Sequence, residues 1–119
     1  MNNYQGFSDD NVLIRGTLIQ KYSNFKYYGG AVDGRRHGLG VLKTSTAKWE
    51  GVFEKGRFKN GYVERTFRDG SKYEGGWENN EKNGEGTFTD VDGQIKIGLW
   101  KDGVLLEPSI ENQNNPSDE

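Results

Sequence analysis

The feature that most constrains the fold of this chain is a short alternating segment, Tyr73-x-Gly75-x-Trp77. In an extended strand successive side chains point to opposite faces, so the two rings and the glycine between them share one face. The pairs Asp69-Gly70 and Asn83-Gly84 flank the segment, and residues of these types tolerate the positive φ angles of tight turns. The stretch therefore predicts one β-hairpin with a turn on either side.

The same frame recurs along the chain at a nearly constant spacing. The copies are Tyr4-x-Gly6-x-Ser8, Tyr28-x-Gly30-x-Val32, Trp49-x-Gly51-x-Phe53, Tyr73-x-Gly75-x-Trp77 and Lys96-x-Gly98-x-Trp100. Their central glycines are 24, 21, 24 and 23 residues apart, which is room for two short strands and two turns. The sequence therefore predicts an all-β fold, an elongated ribbon of successive antiparallel β-hairpins.

The ends of the chain differ from this pattern. We expect the repeat array to occupy residues 1–106, with a degenerate first copy at about 4–27 and the clearest copies at 28–103. Residues 107–119 are rich in asparagine and acidic residues and show no apolar pattern. We therefore expect them to form a flexible, disordered tail.

The repeated rings are predicted to hold neighbouring hairpins together, because a two-stranded hairpin alone is marginally stable in water. Equivalent rings of successive repeats would stack on one another. This interpretation predicts two aromatic ladders, one of Tyr28, Trp49 and Tyr73, the other of Phe53, Trp77 and Trp100.

Composition excludes several classes of function. The 119 residues carry 16 basic and 18 acidic side chains, a net charge of −2, so the chain lacks the overall positive field that binds nucleic acid. It has no cysteine, which excludes disulfides, a thiol nucleophile and a cysteine-ligated metal. The sequence has neither a membrane-spanning apolar run nor a signal-peptide pattern. These observations predict a cytoplasmic protein.

Few residues are candidates for catalysis or metal binding. His37 is the only histidine; a general base needs an orienting carboxylate, and Asp33 is the nearest in sequence. We interpret His37 as a turn residue. The segment Asn79-x-Glu81-x-Asn83-Gly84 is faintly similar to a calcium loop but lacks its leading aspartate and closing glutamate. We therefore predict no catalytic residue, no metal site and no cofactor.

Tyr-x-Gly-x-Trp, then a turn, then Gly-x-Gly, repeated about every 23 residues, resembles the MORN repeat (membrane occupation and recognition nexus). Residues 73–93 match this pattern best, 28–40 and 49–61 match it less fully, and 96–103 look like the opening of a further copy. The departures are Ser8 and Val32 at an aromatic position and Lys96 at the tyrosine position.

This resemblance implies a ribbon of hairpins without an active site of its own. Members of the family act as scaffolds in cilia, cytoskeletal assemblies and membrane junctions, or as accessory modules on enzymes. We therefore expect a non-catalytic structural or adaptor protein that binds protein partners in a larger assembly, cytoskeletal or ciliary in kind. The alternative is a peripheral module that binds anionic phospholipid, an activity proposed for the family.

Basic residues supply one candidate contact surface. Those in the first clear repeat are Arg35, Arg36, His37, Lys43 and Lys48. If the hairpin edges align, these side chains form a positive rim that could bind lipid phosphates or an acidic partner. The other reading is a solvated face of mixed charge.

The end of the array supplies a second candidate surface. Val104, Leu105 and Leu106 follow the last Asp-Gly turn and are predicted to form a strand with no neighbour beyond it. Such an edge could bind a partner or a second copy of the chain. The alternative is that the segment folds back to cap Trp100.

Overall fold

A computed structural model describes residues 10–109 as one open sheet of ten antiparallel strands in sequence order. The strands are β1 (Asp10–Ile14), β2 (Thr17–Lys21), β3 (Phe25–Val32), β4 (Arg35–Thr44), β5 (Ala47–Glu54), β6 (Arg57–Thr66), β7 (Lys72–Glu78), β8 (Glu81–Thr89), β9 (Ile95–Lys101) and β10 (Val104–Pro108). Each strand pairs with the next along the chain. The predicted ribbon of successive hairpins is confirmed.

The described range differs from the predicted boundaries at both ends. Strand β10 ends at Pro108, so the sheet includes two residues that the sequence assigned to the tail. The remaining predicted tail, residues 110–119, and the Tyr4-x-Gly6-x-Ser8 copy lie outside the described residues. Residues 10–109 include no helix that could cross a bilayer.

Within residues 10–109, five two-residue turns each close the hairpin of one repeat, and a sixth two-residue link, Ser45-Thr46, joins one repeat to the next. Both central residues of each of the five turns have positive φ, as in type I′ turns; the pairs are Arg15-Gly16, Asp33-Gly34, Lys55-Gly56, Asn79-Asn80 and Asp102-Gly103. The turn predicted at Asn83-Gly84 is wrong, because both residues lie inside β8. Gly84 does have a positive φ of 98°, but it lies at the register shift of the β7–β8 pair and does not close the hairpin.

The first complete repeat is displaced by one residue from the predicted frame. Tyr27 is 1% exposed, whereas Tyr28 is 63% exposed. The Tyr27 hydroxyl donates a hydrogen bond to the Gly30 carbonyl at 2.9 Å, as the Tyr73 hydroxyl does to the Gly76 carbonyl at 2.8 Å. Tyr27 is therefore the equivalent of Tyr73, and the placement of Tyr28 in an aromatic ladder is wrong.

The glycines of the repeat provide space for these tyrosine rings. Gly86 on β8 lies opposite Gly75 on β7, and a Cβ atom at Gly86 would overlap the Tyr73 ring and hydroxyl. Gly40 stands in the same relation to Tyr27. The tyrosine and the glycine of the next strand are thus one packing unit, which explains why they recur together.

Most of the large apolar side chains that are buried lie on one face of the sheet, which we call the inner face. They form two clusters, one of Leu18, Tyr27 and Phe53, the other of Val63, Tyr73, Trp77 and Trp100. Trp49 and Phe58 pack against both clusters. The core therefore continues along the ribbon as a single layer.

The ring contacts differ from the predicted ladders. Tyr27 contacts Phe53 edge-on at a centroid distance of 5.1 Å, and Tyr73 contacts Trp100 edge-on at 5.8 Å. Each tyrosine therefore meets the second ring of the following repeat, not its own equivalent. In both contacts the tyrosine ring lies over a glycine of the intervening strand, Gly40 on β4 and Gly86 on β8.

Candidate interaction surfaces

Three cationic side chains lie over the rings of the inner face. The Arg36 guanidinium carbon is 5.2 Å from the ring centroids of both Phe25 and Tyr27. The Arg65 guanidinium carbon is 4.9 Å from the Phe67 ring. The Lys82 nitrogen lies 5.0 to 5.7 Å from four rings, those of Phe67, Tyr73, Phe88 and Trp100. These distances are in the range of cation–π attraction. We call Arg36, Arg65 and Lys82, with the rings beneath them, the inner strip.

Arg36 and Lys82 occupy equivalent positions in their repeats. Each lies nine residues after the buried tyrosine, opposite Ala31 and Trp77 respectively. In the other two repeats this place is apolar, with Phe58 opposite Phe53 and Leu105 opposite Trp100. Cationic and apolar side chains therefore alternate along the ribbon.

Burial shifts the ionisation of this strip. Burial lowers the pKa of the Lys82 ammonium, and the nearby Arg65 guanidinium lowers it further. Burial also lowers the pKa of Arg36, and the nearby hydroxyl of Tyr27 partly offsets this decrease. Burial raises the pKa of the Tyr73 hydroxyl to about 12. Positive charge on the inner strip is thus held in a poorly solvated setting.

No carboxylate neutralises the inner strip within residues 10–109. The ion pairs of this range are Lys48–Glu50 at 3.6 Å and Lys59–Glu54 at 3.2 Å. Arg36 instead donates a hydrogen bond from Nε to the Gln20 side-chain oxygen at 3.1 Å. The strip therefore offers both cations and ring edges to an acidic group from outside.

The five basic residues predicted to form one rim are separated in the structure. Arg35 follows the turn at Asp33-Gly34, whereas Lys43 lies near the opposite end of β4, about 26 Å away for eight residues of extended strand. Arg36 belongs to the inner strip. The His37 Nδ1 atom accepts a hydrogen bond from the Lys55 backbone N–H at 3.3 Å. These residues therefore do not form a single rim.

Lys43 and Lys48 belong to a longer row on the other face, which we call the outer face. Residues directly opposite each other in adjacent strands share a face. The registers of β2 to β7 place six charged residues in one line, which we call the charged row: Lys21, Lys26, Lys43, Lys48, Glu64 and Glu74. Sequence reasoning missed Lys21 and Lys26, because spacing alone does not give the register between strands.

The predicted docking edge is the last described strand, β10. Leu105 lies opposite Trp100 and packs against the aromatic cluster, so this side chain does cover Trp100. Val104 and Leu106 are 60% and 54% exposed. Within residues 10–109, β10 pairs with β9 alone. The segment thus covers the core, and no strand of the described range pairs with the far edge of β10.

The calcium-like segment forms a turn and the start of a strand. Asn79 and Asn80 close the β7–β8 hairpin, and Glu81 begins β8. In the described range, no three His, Asp or Glu side chains are grouped to hold a metal ion.

Comparison with known families agrees with the repeat frame seen in the structure. The MORN repeat family model matches residues 27–46 and 73–95. Both segments begin at a tyrosine whose hydroxyl bonds to the carbonyl three residues later. No curated protein matches the sequence of this chain.

Proposed function

Because the chain is a MORN-repeat protein, and such repeats are generally modules that bind proteins or membranes, we propose that it is a non-catalytic adaptor. In this role it holds a protein partner within a larger assembly. The family resemblance suggests a cytoskeletal or ciliary assembly, and hence a cytoplasmic location beside it.

The observation that carries the proposal is the inner strip. Lys82 lies over four rings and has no carboxylate partner within residues 10–109. Burial deprives the Lys82 ammonium of part of its hydration. An acidic side chain of a partner would compensate for this loss through a charge-assisted hydrogen bond. The rings beside it provide apolar contact area at little cost in conformational entropy.

The rigid packing of the sheet beneath the inner strip also supports the adaptor role. The Tyr73 ring is fully buried and its hydroxyl is fixed on the Gly76 carbonyl. Side chains placed on such a base are ordered before a partner arrives, so less entropy is lost on binding. We infer that a partner presenting acidic groups along one face, such as an amphipathic helix, is the class that fits.

Affinity capture from a native lysate tests the adaptor role. The tagged full chain is the bait, washing is done at moderate salt, and proteins recovered in stoichiometric amount are identified by mass spectrometry. A defined protein set that survives the wash supports the proposal. Recovery of no protein above the level of a tag-only control refutes it.

The alternative function is binding of an anionic membrane surface through the lysines of the charged row, of which Lys43 and Lys48 belong to the rim predicted from the sequence. The charged row favours this function, because its four lysines lie side by side on the adjacent strands β2 to β5. Glu50, Glu64 and Glu74 on the same face oppose it, because they repel anionic headgroups. Flotation with phosphatidylserine vesicles, compared with phosphatidylcholine vesicles, tests it: salt-sensitive binding to the former alone would support a membrane role.

A further inference from the structure

The charged row is unusual because like charges lie directly opposite one another. Lys21, Lys26, Lys43 and Lys48 occupy four adjacent strands in register, an arrangement that destabilises an isolated sheet. On the next two strands, β6 and β7, the charge of the row is negative, because the residues there are Glu64 and Glu74. Among the described residues, Lys48 alone of these six forms an ion pair, and its partner is Glu50.

The middle of this row, Lys43, Lys48, Glu64 and Glu74, can complement the same four residues of a second copy. We propose that two chains pack through their outer faces about a two-fold axis that runs parallel to the strands, between β5 and β6. This operation places β5 over β6 of the second copy, and β4 over its β7. Because the axis is parallel to the strands, each residue faces the residue at the same level along the facing strand. Lys48 then faces Glu64 of the second copy and Lys43 faces its Glu74, and each pair occurs twice.

The neighbouring row on the outer face agrees with the same axis. Glu50 comes to face Tyr62 of the second copy, which pairs a carboxylate with a hydroxyl. Tyr28 comes to face Glu85 in the same manner. At the ends, Ile19 faces Leu99, an apolar pair. Tyr28 and Tyr62 are both exposed in the single chain, although the Tyr62 hydroxyl also has a hydrogen bond to Glu64 of its own chain.

The position of the axis is fixed by charge. If the axis lay between β4 and β5, Lys43 would face Lys48, and if it lay on β5, Lys48 would face its own equivalent. If the axis lay on β6, Glu64 would face its own equivalent, and if it lay between β6 and β7, Glu64 would face Glu74. Like charges in contact are unfavourable, so the position between β5 and β6 is favoured over each of these neighbours.

The size of the contact predicts a weak dimer. The contacts named above involve the eight strands β2 to β9, which would span about 34 Å in a flat sheet, and strands of about six residues are about 20 Å long. The product is about 700 Å² per copy, slightly below the roughly 800 Å² per partner of a standard interface. Because exposed ion pairs contribute much of the attraction, added salt should weaken the dimer. This association goes beyond the adaptor role and leaves both inner strips free for partners.

Sedimentation of the full chain over a wide concentration range at low salt tests the proposal, combined with charge reversal. One variant carries Lys43→Glu with Lys48→Glu, and a second carries Glu64→Lys with Glu74→Lys. Each should remain monomeric alone, because like charges then face each other. A mixture of the two should form a one-to-one heterodimer, because every facing pair is again opposite in sign.

A matched control carries Arg68→Glu with Lys96→Glu, the same change in net charge as the first variant. Arg68 lies in the β6–β7 loop, and Lys96 lies opposite Phe88 on the inner face. Neither residue belongs to the charged row, so this variant should dimerise like the wild type. Thermal melting of each variant establishes that it is folded. A wild-type chain that stays monomeric at every concentration would overturn the proposal. So would charge-reversed variants that dimerise alone, or fail to associate when mixed.

Discussion

The hydrogen bond from Tyr73 to Gly76 gives a sharp test of how the repeats are stabilised. The ring is 0% exposed and its hydroxyl donates to the Gly76 carbonyl at 2.8 Å. Replacing Tyr73 by Phe removes this donor, keeps the ring and leaves a partly buried carbonyl oxygen without that partner. Such a loss costs about 1–3 kcal/mol. For a chain of this size, 1 kcal/mol lowers the melting temperature by roughly 4–5 °C.

Urea unfolding followed by tryptophan fluorescence measures the change in the free energy of unfolding. The matched control is Tyr28→Phe, which removes the same atom from a side chain that is 63% exposed; it should change the free energy by less than about 0.5 kcal/mol. Tyr27→Phe should behave like Tyr73→Phe, because its hydroxyl makes the equivalent bond. If Tyr73→Phe cost no more than Tyr28→Phe, the proposed role of the tyrosine–carbonyl bond would be refuted.

Three further predictions concern the inner face. Trp77→Ala should cost about 3–5 kcal/mol because a buried ring is lost; an unchanged melting temperature would contradict this. Gly86→Ala should destabilise the chain more than Gly93→Ala, because its Cβ overlaps the Tyr73 ring, whereas Gly93→Ala has open space around it and carries only the backbone strain of a φ of 87°; equal losses in urea unfolding would count against the packing unit. The free energy of unfolding should fall as pH rises from 10 towards 12, because Tyr73 ionises near 10 when unfolded but near 12 when folded. That fall should be shallower in Tyr73→Phe; an identical slope would rule out Tyr73 as its source.

The repeating fold could be predicted from the sequence because it depends on local signals. The period of the glycines and the aromatic alternation give one hairpin per repeat without knowledge of the register. The errors arose where local signals are degenerate. Tyr27-Tyr28 and Gly29-Gly30 allow two frames, which the burial of Tyr27 and its hydrogen bond to Gly30 distinguish. Asn83-Gly84 has the residue types of a turn, but the turn lies at Asn79-Asn80.

The candidate surfaces could not be predicted because they depend on which residues adjacent strands bring together. Arg36 and Lys43 belong to the same strand, yet one lies over rings on the inner face and the other in the charged row. A single-residue change of register would exchange the faces of a whole strand. The sequence identified Lys43 and Lys48 as candidates, but their alignment with Lys21 and Lys26 required the register of four strands.

The most direct test of the central claim, that the inner strip holds a protein partner, is quantitative affinity capture with charge-neutral variants. Arg36→Met with Lys82→Met removes two cations of the strip and retains much of the side-chain volume. Lys101→Met removes an exposed lysine outside the strip and serves as the control. We expect the wild-type chain and the control to recover the same stoichiometric protein, and the double variant, shown to be folded by its melting curve, to lose it. Equal recovery by the folded double variant would contradict the claim.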